Sequence, residues 1–202
     1  LPSGAPKESG NVSMDLVYPQ HFQTGISVDV HPKLTLNADI GWTDYKQWDA
    51  FVFRFDRNLE FLNAARILSP DNATPNTLRL PLGFKSQWNW AFGMEFHASS
   101  RLDLRAGVEI RDSVIPDDQR QVMAPFGGAN LYSIGMGYQW DKDTEIDMNL
   151  SYLHSVESIP ADTSCNLNCD NITNIIYNPY AGLDVKTSLR VVMAGLSFRT
   201  KF

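Results

Sequence analysis

The stretch SQWNWAFGMEFHASSRLDLRAGVEIRD (Ser86–Asp112) reads in twos on both sides of a short polar break. Before the break, Trp88, Trp90, Phe92, Met94 and Phe96 oppose Gln87, Asn89, Gly93, Glu95 and His97. After it, Leu102, Leu104, Ala106, Val108 and Ile110 oppose Asp103, Arg105, Gly107, Glu109 and Arg111. Successive side chains of a strand point to opposite faces, so this period predicts two strands joined by a tight turn at HASSR, 97–101. One face is apolar and aromatic, the other polar and charged.

The same pattern recurs outward in both directions. Residues 33–43 set Leu34, Leu36, Ala38, Ile40 and Trp42 against Lys33, Thr35, Asn37, Asp39 and Thr43. Residues 130–140 set Tyr132, Ile134, Met136, Tyr138 and Trp140 against Ser133, Gly135, Gly137 and Gln139. Residues 144–153 set Ile146, Met148, Leu150 and Tyr152 against Glu145, Asp147, Asn149 and Ser151. A weaker case is 22–30, where Ile26, Val28 and Val30 alternate with Ser27 and Asp29. The final segment, SLRVVMAGLSFRTKF, repeats it through Val192, Ala194, Leu196, Phe198 and Phe202. The best helical period is NLEFLNAARIL (58–68), where Leu59, Leu62, Ala65 and Leu68 can share a face.

Seven strands of about ten residues match the length a tilted strand needs to cross a bilayer. Their connections sort by length: short turns at 31–33, 97–101 and 141–143, long connections at about 46–82, 113–129 and 155–187. Membrane barrels keep short turns on the periplasmic side and long loops outside. Trp42, Tyr45, Trp48, Trp88, Trp90 and Tyr152 gather at the long-loop ends, and Phe96, Tyr138, Trp140, Phe198 and Phe202 at the short-turn ends. Amphipathic rings belong at the two membrane interfaces. A soluble β-sandwich also alternates, but it keeps its largest side chains mid-strand. The expected fold is all-β, a transmembrane antiparallel up-and-down β-barrel with seven to eight strands in this chain, integral to a bacterial outer membrane. Residues 1–202 are expected to form one portion of a single barrel domain.

Composition narrows the function. A net charge of −6 without a basic face argues against nucleic acid as a partner. No run approaches the roughly 20 apolar residues of a spanning helix. Leu1 opens no basic-then-apolar leader, which fits a removed signal or an internal piece of a longer chain. Cys165 and Cys169, in TSCNLNCDN, lack a nearby His or further Cys to complete a metal site. They are expected to form a small disulfide in an oxidising compartment. Neither a metal nor a cofactor is expected, and His97 and His154 lack the third partner that a nucleophilic triad requires.

Three stretches carry a resemblance. KLTLNADIGWTDYKQWDAF is similar to a strand running into a Trp/Tyr-rich loop, and GFKSQWNWAFGMEFHASSRLDLRAGVEIRDSVIPDDQR to a hairpin followed by a P-x-x-x-R loop. LYSIGMGYQWDKDTEIDMNLSYLH is similar to the next hairpin. Over about 12–202 the chain resembles the C-terminal half of the FadL/TodX outer-membrane transporters of long-chain fatty acids and hydrocarbons. That family's barrels have fourteen strands and an N-terminal plug. The resemblance therefore implies that this chain is about half of such a barrel, with closure as eight strands on its own as the alternative. It implies uptake of a hydrophobic small molecule or fatty acid, contact with outer-membrane lipid, and recognition of the terminal strand by the barrel assembly machinery through Phe202.

Candidate ligand residues follow from the chemistry of such a cargo. Phe51, Phe53, Phe55, Phe61 and Leu62 make the first long connection unusually apolar, as a capture surface would be, although the same residues would suit a core inside the loop. Leu189, Val191 and Met193 occupy inward positions where an aqueous porin is polar. A carboxylate needs a cation at the mouth. Arg120 matches the Arg of the family loop, and Arg54 and Lys85 are further candidates, each equally consistent with a solvated loop charge. The alternative function is a structural or adhesive barrel whose long loops bind a surface partner.

Overall fold

A computed structural model describes residues 9–68, 70–120, 127–164 and 182–201. Cys165, Cys169 and Phe202 lie outside the described residues, and with them the expected disulfide and terminal signal. Seven long strands form one antiparallel sheet: β2 (His21–His31), β3 (Leu34–Thr43), β7 (Gln87–Ser99), β8 (Leu102–Arg111), β9 (Ala129–Gln139), β10 (Thr144–Ile159) and β11 (Val185–Thr200). Their order in the sheet is their order in the chain, an up-and-down meander. β2 and β11 occupy opposite edges and do not pair. The sheet is therefore open, and closure of this chain as an eight-stranded barrel does not occur among the described residues.

Apart from register shifts at Asp29/His31 and His97/Ser99, beside the short turns, the register keeps each face consistent. Ile26, Ala38, Phe92, Val108, Tyr132, Tyr152 and Val192 are successive ladder partners across one face. One residue along, Ser27, Asn37, Gly93, Gly107, Ser133, Ser151 and Met193 run across the other. A one-residue slip in any pair would exchange the faces, so the alternation itself holds the register. Nothing in the described residues covers the apolar face: Trp90 is 46% exposed, Ile134 61%, Leu196 72% and Phe198 67%. In water such a surface would be untenable for one sheet; against lipid it is the correct face. The polar face is the inner, lumenal one.

Buried apolar side chains are few among the described residues, and they sit toward the long-loop end: Leu59, Leu62, Ala73, Ile115 and Ile159. A second, four-stranded sheet is built there from β1 (Val12–Ser13), β4 (Ala50–Phe55), β5 (Ala73–Thr74) and β6 (Thr77–Pro81), in the order β1-β4-β6-β5. Helix α1 (Phe61–Leu68) packs over it with Leu62 fully buried. The first long connection is thus a folded subdomain rather than an irregular loop. Asp56 ties it to the segment before β2, accepting hydrogen bonds from the Asn11 backbone N–H (3.1 Å) and side-chain amide (2.9 Å). Those donors hold the Asp56 carboxyl below its ordinary value. At the opposite end, the Asp143 N–H donates to Asp141 Oδ1 (2.9 Å), and that bond lowers the Asp141 carboxyl in the β9–β10 turn.

Candidate functional site

The lumenal face divides into a charged end and an apolar patch. Toward the short turns, Arg105 of β8 bridges two neighbours: its Nε donates to Glu95 on β7 and its Nη1 to Asp147 on β10 (2.6 Å). His97 Nδ1 lies 2.6 Å from Asp103 Oδ1, and Thr35 Oγ1 donates to Asp29 (2.6 Å). Gly137 makes room here: a Cβ would stand 3.1 Å from both Arg105 Nη2 and Asp147 Oδ1 and would press on the ion pair. The guanidinium lies across the β9 backbone because that strand has no side chain at this position. Higher on β8, Arg111 holds Glu109 (2.7 Å), which also accepts from Asn89 (3.2 Å).

Arg105→Met should leave Glu95 and Asp147 facing each other without a cation. Charge-assisted bonds contribute about 1.5–3 kcal/mol each, and solvent screening of a half-exposed pair brings the expected loss to about 1–3 kcal/mol in total. The urea midpoint of the protein in lipid vesicles should fall, and adding Glu95→Gln and Asp147→Asn should restore most of it. No recovery in the triple variant would mean that Arg105 acts through packing alone.

Glu95, His97 and Asp103 each offer a ligand atom within 4.8 Å of the others, so they form a possible cation site. Arg105 already occupies Glu95, however, and its charge opposes a second cation there. Among the described residues, His154 does not meet the serines beside it in the sequence. His154 stacks on Tyr152 on the apolar face (ring centroids 6.1 Å, 14°), whereas Ser151 bonds Ser133 (2.9 Å) and Ser155 bonds the Gly128 carbonyl (2.8 Å) on the lumenal side.

Toward the long loops the lumenal face of β9–β11 turns apolar. Leu153 is the ladder partner of both Leu131 and Val191, with Leu189 two residues above Val191 and Met193 two below. Leu189 is 54% exposed and Met193 43%, so the patch is open to the lumen. Sequence reasoning named the β11 members and missed Leu131 and Leu153. Their odd-numbered parity was the available signal; their convergence needed the register.

The cations at this end differ in what they already hold. Arg54 pairs with Asp15 (2.8 Å). Arg120 is clamped: Nη2 to Asp117 (2.7 Å), Nη1 to the Ser158 carbonyl (3.1 Å), and Nε 3.1 Å from Glu157 Oε1 without hydrogen-bond alignment. Glu157 is only 7% exposed, so Arg120 fastens the β8–β9 connection onto the top of β10. Lys85 makes no ion pair among the described residues; its backbone N–H donates to the Val114 carbonyl (2.8 Å). In the first connection, Phe51 lies beside Trp48 (6.3 Å) and Phe55 meets Phe61 edge-on (5.8 Å, 88°). Phe51, Phe53 and Phe55 are half-buried and Phe61 is 48% exposed, whereas Leu62 belongs to the subdomain's own core.

Comparison with known proteins bears on the whole arrangement. The family model described as "Outer membrane protein transport protein (OMPP1/FadL/TodX)" matches residues 3–202. The long-chain fatty acid transport protein of Escherichia coli (strain K12) is 22% identical over 153 residues, covering 75% of this chain and 30% of that protein. A putative outer membrane protein (NMB0088) of Neisseria meningitidis serogroup B is 24% identical over 140 residues, 69% of this chain and 28% of that one. Among solved structures, a Pseudomonas aeruginosa FadL homologue superimposes with a TM-score of 0.62 at 18% identity, over 90% of this chain and 35% of that one. The Pseudomonas putida toluene transporter TodX gives 0.55 at 15% identity, over 96% and 37%. The chain spans about a third of the length of the curated relatives it matches.

Proposed function

Since the chain belongs to the OMPP1/FadL/TodX family of outer-membrane transport proteins, we propose that it forms part of a barrel wall through which hydrophobic molecules, long-chain fatty acids or hydrocarbons, enter the cell. The observation that carries this reading is the lumenal patch of Leu131, Leu153, Leu189, Val191 and Met193. A water-filled pore would be polar at that height. The long connections face the cell exterior, where Phe61, with Phe51, Phe53 and Phe55 behind it, offers an apolar surface for capture. Cargo passes from there to the patch, and the paired charges nearer the short turns brace the wall. The element we propose is presented to the barrel assembly machinery is β11 (Val185–Thr200), which Phe202 follows in the sequence.

For a fatty acid, Lys85 is the anchor we favour over Arg120 and Arg54, because its charge is not already neutralised among the described residues. Arg120 would have to give up Asp117 or Glu157 to take a carboxylate. Uptake of a long-chain fatty acid and of a neutral hydrocarbon should be compared in cells producing the complete protein. With Lys85→Ala, fatty acid uptake should fall about fivefold, the worth of one charge-assisted contact that solvent screening reduces to about 1 kcal/mol. Hydrocarbon uptake should stay near wild type. Equal loss of both would remove Lys85 as the carboxylate anchor, and a selective loss in Arg120→Ala instead would transfer the role. Free ion conduction by the reconstituted protein would refute the apolar-lumen reading altogether.

A further inference from the structure

Above Tyr152, the outward face of β10 and β11 changes character. Arg190 is the ladder partner of His154, two residues beyond the Tyr152–Val192 pair, and Lys186 is the partner of Ser158. All four positions share the parity of Tyr152, so they lie on the outward side, above the residues that face lipid. The other outward positions here, Val156 and Ser188, carry no charge, and Glu157 is on the lumenal face. Asp184 lies beyond the end of β11. Arg54, Arg79, Arg105, Arg111, Arg120 and Arg199 all pair with carboxylates, whereas Arg190 and Lys186 form no ion pair among the described residues. Four strand residues separate the two cations by about 13 Å.

Directly below is a groove of about 690 Å³ on the same face, lined by Ala106, Tyr132, Ile134, Leu150, Tyr152 and Val192 among others. Its floor is low because Ala106 stands between Met94 and Ile134 in the ladder. The arrangement is amphiphilic from top to bottom: two cations without an ion pair among the described residues, the stacked His154–Tyr152 pair at the interface, then an apolar trough running into the membrane band.

We propose that this end of the β10–β11 wall is a binding site for a phosphorylated glycolipid of the outer leaflet. Arg190 and Lys186 take oxygens of two separated phosphates, and an acyl chain lies in the groove beside Tyr132 and Tyr152. A fatty acid fits poorly, since it has one carboxylate for two cations set about 13 Å apart. The proposal rests on the reading that the long connections face outward; it is independent of what the lumen carries.

The test uses the complete protein in detergent, with purified bis-phosphorylated lipid A as the probe and native mass spectrometry or a fluorescence titration as the readout. Arg190→Ser/Lys186→Ser should bind it about thirtyfold more weakly, because each cation beside an anionic headgroup contributes about a fivefold factor. Dephosphorylated lipid A should bind both proteins alike. Arg190→Gln and Lys186→Gln, made singly, should each show part of the loss and serve if the double variant misfolds. Equal lipid A binding by wild type and variants would overturn the site, as would competition by inorganic phosphate alone or selective loss of fatty acid binding. Preference for phosphatidylglycerol over lipid A would overturn it through the orientation. Retention of a hydrophobic probe in the lumen should be unchanged in every variant, so failure of this site and failure of the transport reading are distinguishable.

Discussion

Ile134→Arg should destabilise the protein in lipid vesicles by about 2–4 kcal/mol, the cost of an arginine near the bilayer midplane on the lipid face of a barrel. Ser133→Arg, one residue earlier, should cost about 1 kcal/mol, chiefly its lost hydrogen bond to Ser151. The contrast comes from the register. Ile134 is 61% exposed between Ala106 and Leu150 on the outward face, while Ser133 sits between Gly107 and Ser151 on the lumenal one. On the lipid face the guanidinium must shed water or drag it into the membrane. On the lumenal face it enters a water-accessible space beside Asn149 and the glycines of the neighbouring strands. Equilibrium urea unfolding of the complete protein measures both. Equal costs, or a greater cost for Ser133→Arg, would mean that the faces are assigned the wrong way round.

The second large effect concerns cargo. Leu153→Asp should weaken retention of a hydrophobic probe about 10–100-fold, since a fully buried leucine contact contributes about 1.5–3 kcal/mol and about 1.4 kcal/mol is tenfold. Leu153 is chosen because it is the ladder partner of both Leu131 and Val191, so one carboxylate desolvated by a bound chain disrupts the whole patch. Leu131→Asp should act in the same direction. Asn149→Asp, on the same face of β10 but below the patch, should change retention little. Because these positions face the lumen, urea unfolding should move by less than for Ile134→Arg, which separates a binding defect from a folding one. Retention unchanged in Leu153→Asp would place the cargo elsewhere in the barrel.

The strands themselves were legible in the sequence to within a few residues. Membrane strands carry their environment in strict alternation, and the Trp88–Phe96 segment states both its faces without help from any neighbour. The extensions of β10 to Ile159 and of β11 back to Val185 were not legible. Beyond Tyr152 the chain leaves the membrane band, and SVESI no longer has lipid on one side to enforce a period. The loop subdomain was hidden for a different reason. Val12 pairs with Phe55, and Thr77 with Arg54 and Thr74, contacts between segments that are each too short to show a pattern. The apolar loop residues were visible, but their division into a buried Leu62 and an exposed Phe61 depends on which side of α1 faces the small sheet.

By itself, then, the sequence determined the fold class, the two faces of the wall and the membrane setting, because each follows from local periodicity and from where aromatics fall along a strand. Tertiary structure alone decided which side chains meet. It brought Leu131, Leu153 and Val191 together on three strands, spent Arg120 on Glu157 and Asp117, left Lys85 without a charged partner among the described residues, and set Arg190 opposite His154 above an apolar groove. The physical reason is that alternation specifies the direction in which a side chain points but not its neighbour. Neighbours are set by inter-strand register and by loops folding back over the barrel rim, and both join residues far apart in the chain.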